Sequence, residues 1–533
     1  MLSPLEVVRR YPAHDASLNG MLASRCAQRA GHPLLTDGAR PLTYADFSLR
    51  VDAAARALHA RGIGAGDRVG VMATNSANMV ALLFALARLG AVFVPVNPEF
   101  GAREAGYILQ HAGVRAVATM PAPIATARAA VAALRPAPWF FLLEGERDDL
   151  PTFDAMLDAA PAVALPNAGT PDTTVLMLYT SGTTGFPKGV MHSQRNFVLA
   201  GEGFVARMWL QPEDRLMCIL PMFHINALFY SLAGSLAAGA SLVLVPKFSA
   251  SSFWRTAAES GATQVNIIAA IGNILARRPR EEFDPRHRLR VIYGAPITPE
   301  LERTFREEFN VPVMIEGYGM TEIPGACNNP YDGERRANSM GLPARHPDPS
   351  VKFAELRVVD DDGVDVRDGV AGELWVRTPI LMQGYYKDPE QTAASLYQGW
   401  FKTGDLVRRD ADGYYYFVAR KKDIIRRRGE NISGAEIDRV IDDHPAVVRS
   451  AAIPVPSELG EDEILVAIVA KPGASVSAEE IAAWCRARLA AIKVPRYIAF
   501  VDALPTTATE RVQKFQLRSD KTLRARAVDL QRG

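Results

Sequence analysis

Short apolar runs alternate with helical patterns through the first 350 residues, and this alternation restricts the fold more than any other feature. Residues 68–72, 91–96, 116–119, 242–245, 264–267 and 290–292 read as strands. Residues 51–59, rich in alanine, and 79–89 read as helices. A helix between two strands returns the second strand parallel to the first. The expected class is therefore α/β, with layers of mostly parallel sheet. After about residue 350 the pattern changes. Residues 351–359, 373–376 and 414–418 are short strands parted by turns such as Asp361-Asp362-Gly363 and Asp412-Gly413. They predict a small β-rich subdomain. A basic run, Arg420-Lys421-Lys422-Asp423-Ile424-Ile425-Arg426-Arg427-Arg428-Gly429, follows. The last hundred residues then read as an α+β module, with strands at 450–455 and 465–469 and a helix at 478–489. A chain of 533 residues exceeds one core. The expected division is a large N-terminal domain, 1–420, and a mobile C-terminal domain, 421–533.

Sixty basic residues face fifty-nine acidic ones, so the net charge is +1. That leaves no electrostatic footprint for nucleic acid. Cys26, Cys218, Cys327 and Cys485 are far apart and form no C-x-x-C pair. They suit neither a zinc site nor a disulfide framework, and they fit a reducing, cytoplasmic location. Residues 1–17 mix charges and prolines without an apolar stretch, so no signal peptide is expected. Residues 228–245 are nearly uncharged and almost long enough to span a bilayer. Gly239 is a helix stop, however, and Leu242-Val243-Leu244-Val245 before Pro246 reads as a strand. The segment is expected to be a buried helix followed by a buried strand.

The strongest local signal is Tyr179-Thr180-Ser181-Gly182-Thr183-Thr184-Gly185-Phe186-Pro187-Lys188-Gly189, reached from a strand at 174–178. It packs three glycines, four hydroxyls and one lysine into eleven residues. Glycines let backbone N–H groups approach phosphate oxygens, hydroxyls add donors, and the lysine adds charge. It is not a Walker A loop, because Pro187 precedes the lysine and Gly189 stands where a magnesium-binding hydroxyl belongs.

From this loop the chain resembles the adenylate-forming superfamily of acyl-CoA synthetases, adenylation domains and firefly luciferase. The resemblance covers nearly the whole chain, with several motifs in the family's order. Pro41-Leu42-Thr43-Tyr44-Ala45-Asp46-Phe47 and Gly90-Ala91-Val92-Phe93-Val94-Pro95-Val96-Asn97-Pro98 match its opening patterns. Pro221-Met222-Phe223-His224 resembles the motif bordering the acyl pocket; alone, His224 would read as a core histidine. Gly294-Ala295-Pro296 resembles the segment packed on adenine. In Gly317-Tyr318-Gly319-Met320-Thr321-Glu322, the resemblance implies that the tyrosine stacks near adenine, Thr321 binds the α-phosphate and Glu322 holds Mg²⁺. Trp400-Phe401-Lys402-Thr403-Gly404-Asp405 resembles the ribose motif, with Asp405 on the hydroxyls and Arg420 as a second contact. Lys422 falls at the family's hinge, and Gly429-Glu430-Asn431 resembles the loop lining the pantetheine tunnel. Linking segments such as Phe248-Ser249-Ala250-Ser251-Ser252-Phe253-Trp254 and Arg286-His287-Arg288-Leu289-Arg290 are similar to bacterial carnitine-CoA ligase and its relatives.

The resemblance implies an ATP-dependent acid–thiol ligase. A carboxylate attacks the α-phosphate, pyrophosphate leaves, and the acyl group passes to coenzyme A with loss of AMP. Mg²⁺ is the implied metal, and a small carboxylic acid is the implied substrate. Both reactants in the first step are anionic, so positive charge and positioning are the main needs. The chain departs from the family near its end, in Pro505-Thr506-Thr507-Ala508-Thr509-Glu510-Arg511-Val512-Gln513-Lys514. Arg511 stands at the catalytic lysine and Glu510 at the preceding glycine, while Lys514 keeps the second basic position. Arginine and lysine are not interchangeable. Two other readings therefore stay open: acyl transfer to a carrier-protein thiol or an amine, and a nucleotide-binding protein with weakened catalysis. The acid's pocket is expected between residues 224–227, 269–273 and 317–324, which are mostly small or apolar. Oligomeric state is left open.

Overall fold

The computed structural model describes residues 1–533 apart from 39, 166, 181–186, 428–429, 458–461, 507–511 and 531–533, and apart from the side chains at 40, 422, 430 and 431. The chain forms two compact units. One comprises Met1–Leu356 and Val376–Phe401, the other Arg357–Trp375 and Lys402–Gly533. The β-rich stretch expected from about 350 is thus divided between them.

Among the described residues, one sheet of the first unit has nine strands. Their order is Leu342–Pro343, Ile323–Asn328, Val313–Met320, Val291–Gly294, Gln264–Asn266, Arg215–Cys218, Ser241–Leu244, Pro33–Asp37 and Arg40–Thr43. Its centre is parallel, and antiparallel pairs finish both ends. The second sheet runs Gly384–Tyr385, Lys188–Ser193, Thr174–Thr180, Val92–Pro95, Arg68–Met72, Ala116–Thr119 and Trp139–Leu142. Its last five strands are parallel, and its first three pair antiparallel. Strands covered on both faces read as unbroken apolar runs; every residue of Val92–Pro95 and of Ala116–Thr119 is buried. Helix Ala77–Leu89 starts at Ser76, whose hydroxyl accepts the Met79 N–H, and stops at Gly90 with φ +68°. Glycine adopts that left-handed conformation at little cost.

The uncharged stretch 228–245 is a buried helix and strand, as expected. Its helix has a wider first half: a π-helix, Asn226–Leu232, precedes α-helix Ala233–Ala238, left-handed Gly239 and strand Ser241–Leu244. No helix among the described residues is long and apolar enough to cross a membrane.

In the second unit, residues 405–409 pair antiparallel with Tyr415–Arg420. Further along, Val447–Pro456, Asp462–Ala470, Tyr497–Phe500 and Val528–Asp529 form a sheet. Helices Gly434–Asp442 and Ala478–Arg486 add Ile437, Ile441, Ile481 and Cys485 to its core. A buried ion pair crosses this core. Arg427 Nη2 lies 2.9 Å from Glu463 Oε2, and both side chains are under a tenth exposed. Arg427 Nη1 also donates to the carbonyls of Ile492 (2.7 Å) and Val494 (3.0 Å). Removing one partner of such a pair strands the other charge in a poor solvent. Arg427→Met is therefore expected to destabilise this unit by about 3–5 kcal/mol. Urea unfolding measures this, and a loss below about 1 kcal/mol would mean that the pair behaves as a solvated surface pair.

Candidate active site

The glycine-rich segment joins two antiparallel strands. Thr180, the last residue of Thr174–Thr180, lies opposite Lys188, the first of Lys188–Ser193. The residues between them that carry the predicted phosphate contacts, Ser181, Gly182, Thr183, Thr184 and Gly185, lie outside the described residues. Lys188 is held from the other side by Tyr385. Its Nζ stands 5.0 Å from the centre of that ring, within the range of a cation–π contact. The Tyr385 hydroxyl donates to Glu322 Oε1 at 2.8 Å. One buried tyrosine therefore touches both the loop lysine and the predicted metal carboxylate, two groups drawn from distant motifs. Backbone bonds set its position: Gln383 N–H donates to Met191 O (2.8 Å), Tyr386 N–H to Gly189 O (2.7 Å) and Met382 N–H to Glu322 O (2.9 Å).

Thr321 is fixed through its backbone. His192 Nε2–H donates to its carbonyl at 2.7 Å, and Asn196 Nδ2 donates to His192 Nδ1 at 3.0 Å. Burial pushes the His192 imidazole down to about 4, so the ring is neutral near pH 7 and can donate at one nitrogen while accepting at the other. Neither Tyr385 nor His192 stood out in the sequence, because nothing in the local pattern marks a side chain whose partner is more than sixty residues away.

On the adenine side, strand Val291–Gly294 runs parallel to Val313–Met320, with Gly294 opposite Glu316. Ala295-Pro296 follows, and Ile297 N–H donates to Glu316 Oε2 at 3.1 Å. Glu316 thereby ties Gly294-Ala295-Pro296 to Gly317-Tyr318-Gly319. Burial pushes its carboxyl up to about 7. His224 precedes the π-helix and its ring lies tilted against Phe223, with ring centres 4.6 Å apart. Its Nε2 is out of contact with solvent and has no hydrogen-bond partner among the described residues. A satisfied core histidine would have one. Burial holds this imidazole at about 4 as well.

In the second unit, the two predicted ribose residues face each other across paired strands. Arg420 Nε lies 3.0 Å from Asp405 Oδ1, an ion pair. Gly404 N–H donates to Glu373 Oε1 (3.1 Å), and Lys421 reaches Glu373 Oε2 (3.1 Å). Lys514 Nζ pairs with Asp438 Oδ2 at 2.5 Å. Gly429 and Arg511 lie outside the described residues, as does the side chain of Glu430.

The model of the AMP-binding enzyme family matches residues 22–386, and that of the AMP-binding enzyme C-terminal domain matches residues 436–511. The chain belongs to the AMP-binding enzyme family. Among curated relatives of this AMP-binding enzyme, sulfoacetate–CoA ligase of Cupriavidus necator is 34% identical over 514 residues, covering 96% of this chain and 99% of the relative. Indoleacetate–CoA ligase of Aromatoleum aromaticum is 33% identical over 487 residues, covering 90% and 93%. Among solved structures, ATP-bound MatB from Rhodopseudomonas palustris superposes with a TM-score of 0.83 at 28% identity, covering 94% of this chain and 98% of that one. The anthranilate CoA ligase AuaEII with anthranoyl-AMP also gives 0.83, at 26% identity and 98% coverage of both.

The donor set suits the Mg²⁺ expected from the sequence. No group of three metal-ligating side chains occurs among the described residues. A single buried carboxylate with one oxygen already oriented fits an ion that takes its other ligands from phosphates and water. Tyr385→Phe keeps the ring beside Lys188 and removes the hydroxyl from Glu322. It is expected to slow pyrophosphate release about tenfold and to raise the Mg²⁺ concentration needed for half-maximal rate. An unaltered Mg²⁺ dependence would rule out orientation of Glu322 by Tyr385.

Proposed function

We propose that this AMP-binding enzyme is an AMP-forming acyl-CoA ligase that uses ATP to activate a small carboxylic acid. The observation carrying this reading is Tyr385, which joins Lys188 to Glu322. A loop cation and a metal carboxylate held together suit a reaction between two anions. Lys188, Thr180 and the loop 181–185 bind phosphates, and Glu322 is the residue that would hold Mg²⁺. That ion, when bound, supplies positive charge to the phosphates. Thr321, with its backbone anchored by His192, presents its hydroxyl to the α-phosphate. Gly294-Ala295-Pro296 and Tyr318 take the adenine, and Asp405 with Arg420 takes the ribose. His224 borders the acid.

The substrate carboxylate attacks the α-phosphorus and pyrophosphate leaves with the bonding electron pair. The thiolate of coenzyme A then attacks the acyl carbon, and AMP leaves. A thiol with a pKa near ~8.5 is partly ionised at neutral pH, so no protein nucleophile is needed. The relatives are CoA ligases by name, which favours free coenzyme A over a carrier protein or an amine. All four cysteines are free thiols, as suits a cytoplasmic enzyme.

Residues after about 420 serve the two half-reactions in turn, pivoting at Lys422, with Gly429 and Glu430 acting in the second. Lys422→Pro is expected to slow thioester formation more than adenylation, because it restricts the backbone at the pivot. Equal slowing would argue against a pivot there. The activity is tested by pyrophosphate release across a panel of acids, followed by coenzyme A, a carrier-protein thiol or an amine as acceptor. Pyrophosphate release with no thioester on adding coenzyme A would redirect the second step to another acceptor. ATP binding without pyrophosphate release from any acid would overturn the reading.

A further inference from the structure

Helix Gln194–Met208 ends with a buried cation that the reaction above does not use. Arg207 is 3% exposed. Its Nε and Nη1 have no hydrogen-bond partner among the described residues. Three aromatic rings surround the guanidinium, with centres 4.8 Å (Tyr230), 5.4 Å (Tyr293) and 5.6 Å (Phe204) away. Aromatic faces stabilise a cation, but they satisfy none of the N–H groups along its edge. Arginine carries five such donors in a planar fork; those on Nε and Nη1 are the ones without a partner here, and leaving them dry is costly. Packing alone would be met by leucine or methionine.

The surroundings point to a ligand. Arg207 touches two elements that carry parts of the three segments expected to enclose the acid, through Tyr230 and Gly325. The first is the hairpin Val313–Met320 and Ile323–Asn328, whose turn carries Thr321 and Glu322. A Cβ built on Gly325 would lie 1.9 Å from Arg207 Nη2, and Gly325 also has φ +102°. Only glycine leaves room for the guanidinium there. The second is the π-helix Asn226–Leu232, which begins two residues after His224 and supplies Tyr230. A Cβ on Gly319 would lie 2.8 Å from the Tyr230 hydroxyl. Gly325 is three residues beyond Glu322, so chain geometry keeps it within roughly 10 Å of that residue.

We infer that Arg207 receives a second anionic group on the acid, and that the substrate is a short carboxylic acid ending in another carboxylate or a sulfonate. This rests on the ligase reading and names the substrate class for it. The distal group pairs with the free edge of the guanidinium, the bidentate arrangement that arginine forms best. The reacting carboxylate then lies a few carbons away, on the Thr321–Glu322 side. A separate small anion is the rival occupant. Arg207 also lines a cavity of about 330 Å³ on the side of Asn328, Leu342 and Pro343, through which such an anion could enter.

The test uses the full-length enzyme and matched acids: malonate against propionate, succinate against butyrate, with sulfoacetate as the sulfonate. The expected result is a kcat/KM for pyrophosphate release about a hundredfold higher with at least one of the doubly charged acids than with the singly charged ones. Arg207→Gln should lower that ratio by a similar factor, mainly through KM, and Arg207→Lys should recover part of it. ATP binding by calorimetry checks that each variant is folded. Wild-type enzyme preferring singly charged acids would overturn the proposal and leave the ligase reading standing. So would an unchanged ratio in a folded Arg207→Gln. Malonate or succinate accelerating release from butyrate without being consumed would overturn it in favour of a separate anion. No pyrophosphate from any acid would overturn the ligase reading, and this proposal with it.

Discussion

Glu322→Gln is expected to slow adenylate formation on the order of a hundredfold or more, the usual scale when a site loses a group that stabilises transition-state charge. Magnesium prefers charged oxygen ligands, and a neutral amide is a poor replacement. The fold should survive, because glutamine keeps an oxygen that can accept the Tyr385 hydroxyl, now at 2.8 Å from Glu322 Oε1. The defect should be largest when Mg²⁺ is scarce and shrink as it is raised. Pyrophosphate release measured over graded Mg²⁺ checks both points. A variant matching the wild type at limiting Mg²⁺ would end the assignment of Glu322 to the metal.

Arg511→Ala is expected to cripple adenylation by a similar factor while largely sparing thioester formation from synthetic adenylate. Arg511→Lys should remain active. Arginine keeps its charge, and its fork can bind a carboxylate and a phosphate oxygen together. The rival cation, Lys514, is already engaged. Its ammonium pairs with Asp438, whose carboxyl burial pushes up to about 6 against the pull of that lysine. Asp438 also accepts the Ala452 N–H. Lys514→Ala would leave a buried acid without its cation. Its first effect should be a lower melting temperature for the second unit rather than a selective loss of adenylation. Measuring both half-reactions and thermal stability for the three variants separates the roles. Full adenylation by Arg511→Ala, with selective loss in a stable Lys514→Ala, would exchange the two assignments.

Much of the first unit was legible because its strands are buried on both faces and its helices are capped locally. Residues 116–119 and 68–72 read as strands and are strands to the residue. The transmembrane look of 228–245 was dismissed on Gly239 and the apolar run before Pro246, and the structure agrees. The π-helical winding of Asn226–Leu232 left no sign, since it depends on how one turn packs. The site was legible only where one short segment holds the chemistry, as in residues 317–322. Gly384–Tyr385 is a two-residue strand, too short for a periodicity, and its meaning comes from pairing with residues 190 and 191. Nothing in the sequence singled out Glu316 or Arg207; the structure puts Arg207 at the end of helix Gln194–Met208, where its charge suits the helix dipole. Only the folded chain puts it among three rings.

The path of the chain between its two units has a consequence for how the protein is made. Neither unit is a continuous stretch; the polypeptide crosses after Leu356, Trp375 and Phe401. The usual order on the ribosome, in which an N-terminal domain folds before the next is begun, cannot hold in full. When Arg357–Trp375 emerges, the first unit still lacks Gly384–Tyr385, and the second lacks everything from Lys402 onward. A nascent chain must therefore carry two unfinished units at once. A chain released at Leu356 would contain the glycine-rich segment, Lys188 and Glu322, but not the tyrosine that joins them.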